Sequence, residues 1–200
     1  MSEIPPETFL PTARAMVIAQ LEYAWAEVSA RLATLSQEEL DREPAPGALR
    51  VVRRGQERQP RTVGAGDWVA EWPQGYDEPL PRTIGWLVAH LTEVFGERRE
   101  WTFGEHRRRR EEFVLHGEVR AAVAGLTHEV DAWRAGVRAL GDEDVFTVGR
   151  STATPIDAQA PFGHLVLHLN RELIHHGSEI CVLTDLYRAA PRPADGMLGA

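Results

Sequence analysis

The chain has 200 residues, enough for one domain with its own hydrophobic core. Its 22 basic residues, all arginine, stand against 30 acidic ones, and the formal charge of −8 disfavours a nucleic-acid partner. The single cysteine, Cys181, excludes an internal disulfide framework and any zinc site built on several thiolates, and fits a reducing, cytoplasmic setting.

The first residues, MSEIPPETFLPTARAM, lack the basic stretch and apolar run of a secretory signal. No apolar stretch reaches the length needed to span a bilayer, so no membrane partner is expected. Residues 1–11 are Pro-rich and read as irregular. A first long helix is predicted from Thr12 to Leu35, with Thr12 as N-cap and Met16, Leu21, Val28, Leu32 and Leu35 at helical spacing. Ser36 followed by Glu39 is a capping box, which predicts a short helical turn over SQEEL.

Residues 41–81 change character. Proline and glycine recur too often for any helical period to survive. Leu49–Arg54 and Asp67–Trp72 are candidate short strands. Such a long connection is expected to cap one end of a helical bundle, with Trp68 or Trp72 as anchor. A second long helix is predicted from Thr83 to Thr102 and a third from Arg110 to Leu140. The run Arg107–Arg110, followed by Glu111 and Glu112, reads as a solvated turn and not as a phosphate-binding patch. Residues 141–159 read as a loop, with an extended piece at Val145–Val148. A fourth long helix is predicted from Pro161 to Tyr187, and a Pro/Gly tail closes the chain from Ala189 to Ala200. The sum is an all-α, single-domain, antiparallel four-helix bundle over residues 1–200, with a long irregular insertion between its first and second long helices.

Polar residues on the inward faces of such helices are the anomalies to explain. On the fourth helix, Leu165, Leu169, Leu173, Ile180, Leu183 and Tyr187 form the apolar stripe, and Glu172 and His176 fall inside it one turn apart. A buried carboxylate needs a partner or a metal. On the second helix, His90 falls within the stripe of Leu87, Leu91, Val94 and Trp101, with Arg98 on the same side. His90, Glu172 and His176 can therefore form either a metal site or a buried ion pair. His168, one turn before Glu172, is the rival ligand, and His175 lies on the flank. Two His and one Glu leave coordination positions open, the pattern of a catalytic rather than a closed structural site. The donor set alone does not choose among zinc, nickel and iron. No separate general base is evident unless Glu172 is free or Glu179 reaches the site. Cys181 lies nearly opposite Glu172 and His176 on the helical wheel and reads as a packing residue.

TIGWLVAHL (Thr83–Leu91), WTFG (Trp101–Gly104) and HLNRELIHHGSEICVLTDLY (His168–Tyr187) resemble the DinB-like superfamily of four-helix bundles, in particular its actinobacterial members. EELDREPAPGALRVVRRG is a weaker match. The Glu and His at i, i+4 are similar to the N-terminal bundle of the mycothiol-dependent maleylpyruvate isomerases. The resemblance implies an up-up-down-down bundle and a divalent metal on His90, Glu172 and His176. Aligned on the commoner three-histidine pattern, Arg171 would fall at a ligand position, which arginine cannot fill, and His175 would be the last ligand. The resemblance further implies an S-transferase or isomerase that uses a low-molecular-weight thiol such as mycothiol as co-substrate. Arg98 would then meet a carboxylate or phenolate of the small-molecule substrate, and the chain would form a homodimer. A metal-dependent hydrolase and a non-catalytic metal-binding stress-response bundle are the alternatives.

Overall fold

The computed structural model describes residues 12–75 and 80–190. The Pro-rich start and the tail beyond Ala190 lie outside the described residues. Among the described residues there are four long helices: α1 (Ala13–Leu32), α3 (Ile84–Phe103), α4 (Val119–Arg138) and α6 (Phe162–Ala189). Two short ones, α2 (Gln37–Asp41) and α5 (Pro155–Gln159), sit between them.

Local chemistry sets most of the boundaries. The Thr12 hydroxyl accepts from Ala15 N at 3.1 Å and starts α1. Ser36 and Glu39 form the reciprocal capping box that starts α2. Thr83 accepts from Trp86 N and opens α3. Thr154 does the same for Asp157 N, and Pro155 follows at the first position of α5.

The insertion is an ordered layer. Strands β1 (Val51–Arg53), β2 (Arg61–Val63) and β3 (Trp68–Trp72) form an antiparallel sheet in the order β1-β3-β2. Ala70 faces Val51 on one side and Val63 on the other. Two of these strands coincide with the expected segments. β2 was not anticipated, because three residues between Pro60 and Gly64 carry no readable alternation. The sheet is fastened from within by Glu71, which is 1% exposed. Its carboxylate accepts from the backbone N–H groups of Arg50 and Arg58. Trp72 is buried and serves as the expected anchor, while the Trp68 ring covers Gly117.

Residue pairs fix the helix directions. Asn170 donates to Val17 O, and Arg31 pairs with Asp185, so α1 and α6 run parallel. Arg82 meets Glu179 while Phe103 meets Phe162, so α3 and α6 run antiparallel. Arg99 pairs with Glu129, and Phe103 packs on Trp133 farther along, so α3 and α4 run parallel. Arg14 reaches Arg138 O while Gln37 meets Val119 N, so α1 and α4 run antiparallel. The long helices are therefore arranged up-down-down-up, which corrects the up-up-down-down order that the resemblance implied.

A parallel α3–α4 pair needs a connection that travels back along the bundle, and residues 104–118 are that connection. This also corrects the third helix, expected from Arg110 but beginning at Val119. Only a 3-10 turn forms at Arg110–Glu112. The return segment places Arg108 beside Glu100 and Arg110 beside Glu93 and Glu97. Phe113 packs where Gly96 leaves room on α3. The charge run is thus not simply solvated, since it neutralises three buried glutamates on α3. The extended piece expected at Val145–Val148 is instead a 3-10 turn, Asp142–Phe146, followed by a bridge from Val148 to Pro161.

Covered by the sheet, the return segment, α4 and α6, α3 is buried almost all round. No described helix is long and apolar enough to cross a membrane.

Candidate metal centre

His90 lies two turns into α3, and Glu172 and His176 lie one turn apart on the antiparallel α6. The crossing brings their donor atoms within 4.8 Å of one another. Glu172 Oε2 is 3.5 Å from His90 Nε2 and 3.4 Å from His176 Nε2. These separations exceed an ordinary N–H···O hydrogen bond. Two donors about 2.0–2.2 Å from one tetrahedral ion lie about 3.4 Å apart, so the spacing is that of ligands around a shared cation. The donor set and its geometry fit a divalent metal.

Each imidazole is oriented the same way. His90 Nδ1 lies 3.0 Å from Glu93 Oε1, and His176 Nδ1 lies 3.3 Å from Glu179 Oε2. A carboxylate accepts, so each Nδ1 donates and each Nε2 is left facing Glu172. Both acids are held in turn by arginine, Glu93 by Arg110 at 3.4 Å and Glu179 by Arg82 at 3.1 Å. Carboxylate support of this kind fixes the tautomer and raises the basicity of a ligating histidine.

The walls are aromatic. The Trp86 ring stacks on His90 at 5.1 Å between centroids, and Trp72 stands 5.6 Å from the same ring. Trp86 Nε1 donates to Glu71 O, which ties this wall to the sheet. The insertion therefore helps to cover His90 through Trp72.

Electrostatics follow from this packing. Contact with His176, and then with His90, holds the Glu172 carboxyl far below its usual range against the opposing effect of burial. Burial by itself would lower His90, but Glu172 and Glu93 overcome it and the net shift is upward. Burial would raise Glu179, but His176 and Arg82 bring it below its usual value. Burial pushes His168 down, and Arg98 and Arg171 add to that against the pull of Glu172.

The structure brings His90, Glu172 and His176 together and leaves the alternates outside the trio. His168 Nδ1 is 3.6 Å from the other oxygen of Glu172, and Arg171 lies between them, 2.7 Å from that nitrogen. His175 is exposed, although its ring touches that of His176 and it forms a second donor group with His176 and Glu179. Arg98 is buried, pairs with Glu97 at 2.8 Å, and faces a different cavity, described below. Glu179 reaches the site as a hydrogen-bond partner of His176 and not as a free base. Cys181 lines a groove with Tyr23 and Val182, away from the trio.

Reading single residues missed Glu93 and the tryptophan wall. The signal was present as a repeated phrase, HLTE at 90–93 and HGSE at 176–179, which puts a glutamate on the Nδ1 side of each histidine at i, i+3.

No curated protein and no solved structure matches this chain. A family profile described as the DinB superfamily matches residues 20–180, which takes in α3, most of α6 and every residue of the trio. With that match over most of its length, a mostly helical bundle, and a candidate ligand group where two helices cross, the chain belongs to the DinB superfamily, whose members are in general metal-binding.

Proposed function

We propose that the chain is a metal-dependent enzyme whose His90, Glu172 and His176 hold one divalent ion, and that it transfers or isomerises a substrate with the help of a small thiol. The observation that carries the metal is the pair of Nε2 atoms at 3.4 and 3.5 Å from a single carboxylate oxygen. Three protein donors leave room for an exogenous ligand. The side chains of His90 and Glu172 retain 13% and 16% exposure, so such a ligand can reach them. A bound divalent ion supplies Lewis acidity and stabilises a thiolate or hydroxide at neutral pH.

The chain's own residues supply the rest. Glu93 and Glu179 hold the two imidazoles in register. Trp72 and Trp86 pack against the His90 ring. The one cysteine lies in another groove, so a sulfur at this site must come from a small molecule. The similarity of the Glu-His spacing to the thiol-dependent isomerases supports the same choice.

One observation favours a hydrolytic reading instead. His90 and Glu172 are exposed enough to admit water, which a bound divalent ion would make nucleophilic without any thiol. Turnover separates the two. Activity that requires an added thiol supports the transferase or isomerase, and activity in its absence supports the hydrolase. Loss of both metal and turnover in His90→Ala is expected, and full turnover in that variant would refute the proposal.

A further inference from the structure

Beside the trio, a cavity of about 650 Å³ opens between α5 and the first turns of α6. That volume is within the range of small-molecule sites. Its chemistry is unusual for a chain with a net charge of −8. Arg98, Arg171, His164 and His168 all line it, against one acid, Asp157.

Arg98 is the informative residue. It is 8% exposed, and it enters from α3. Its Nη1 donates to Glu97, while Asp157 Oδ2 stands 3.7 Å from Nε, beyond hydrogen-bond reach. The buried Nε has no hydrogen-bond partner among the described residues. The guanidinium is thus not saturated by the acids around it, and as part of the cavity lining it turns its positive charge toward whatever enters. Asp157 is already engaged, since its Oδ2 accepts from the Thr154 hydroxyl at 2.7 Å.

Two further features point to the same ligand. The cavity sits against Pro161, His164 and Leu165, the N-terminal turn of a 28-residue helix, where the helix dipole favours negative charge. The remaining wall is largely apolar, including Pro155, Ile156 and Leu165. The cavity also abuts the metal centre. Arg171 Nη2 donates to Glu172 Oε1 at 3.0 Å, and His168 lies 3.6 Å from the same oxygen.

We infer that this cavity binds a small organic anion, a carboxylate on an apolar body, with its acidic group on Arg98 and Arg171 and its other end toward the trio. The inference names the substrate class of the proposed function and rests on that reading for the orientation of the ligand, whereas binding of the anion stands on the cavity alone.

The probe is benzoate, with benzamide as the uncharged control, titrated by calorimetry into the full-length protein. Benzoate is expected to bind on the order of tenfold or more tightly than benzamide, the effect of one charge-assisted hydrogen bond. Arg98→Gln should remove the preference. Since Arg98 is buried, Arg171→Gln and His164→Gln provide a second test on exposed residues that folding does not require, and each should reduce the preference. Equal binding of the two probes, or a preference unchanged in Arg171→Gln and His164→Gln, would overturn the inference. Metal content measured on the same samples separates the two proposals. Metal present without discrimination removes the anion site alone, and discrimination without metal removes the metal reading alone.

Discussion

Glu172 Oε2 lies 3.4 Å from His176 Nε2, one helical turn away, and the same oxygen faces His90 from the neighbouring helix. One oxygen thus serves as the hub of the site. The native chain should bind about one divalent ion, and Glu172→Ala and His176→Ala are each expected to lose it, as read by elemental analysis. Retention of metal in both variants would place the ion elsewhere.

Glu93 should matter without touching the ion. Glu93→Gln keeps the shape but weakens the acceptor on His90 Nδ1 and the partner of Arg110. Metal affinity is expected to fall about 10–100-fold, the usual effect of losing such support. Competition against a chelator measures it, and an unchanged affinity would assign Glu93 to Arg110 alone.

Gly96 tests the return segment. A Cβ there would stand 2.5 Å from Phe113 Cε1, and Phe113 is 3% exposed. Gly96→Ala should cost roughly 1–3 kcal/mol in urea unfolding, the range for forced overpacking. Phe113 is three residues from Arg110, so metal affinity should drop as well. Gain of stability would mean that the segment is not packed as described.

Glu22 carries a pH dependence. Arg134 above all, with Arg138, holds its carboxyl below the usual value of 4.5. A lowered native pKa contributes stability that is complete above about 4.5 and is lost as pH falls through the lower native value. Both partners are partly exposed, so screening limits the contribution to about 1 kcal/mol or less. Glu22→Gln should therefore destabilise the chain slightly at neutral pH, with the gap closing in acid. A gap that persists at low pH would show that packing, not charge, is lost.

The inward Glu172 and His176 were legible because a carboxylate inside an apolar stripe is costly and therefore informative. His90 was legible for the same reason. Thr12, Thr83 and the Ser36–Glu39 box announced their helices through backbone capping, which is local in sequence. Helix direction was not legible, because nothing local to residues 104–118 says that the chain must travel the length of α3 before α4 begins. The same gap explains why Arg110 read as solvent-facing, since its partners Glu93 and Glu97 lie on a helix whose inward face seemed to be set by leucines. β2 and α5 are too short for periodicity to register.

The return segment also bears on how the chain comes together. Its contacts with α3 join residues close in sequence, as Arg110 with Glu97 and Phe113 with Gly96. The α1–α6 pairing instead joins the two ends of the bundle, as Gln20 with Asn170. Short loops close at lower entropic cost, so α3 with its return segment is the natural early unit and α6 the late arrival. A metal shared between His90 and Glu172 would then clasp the last helix to the first-formed one, and its removal should loosen α6 before any other part of the fold.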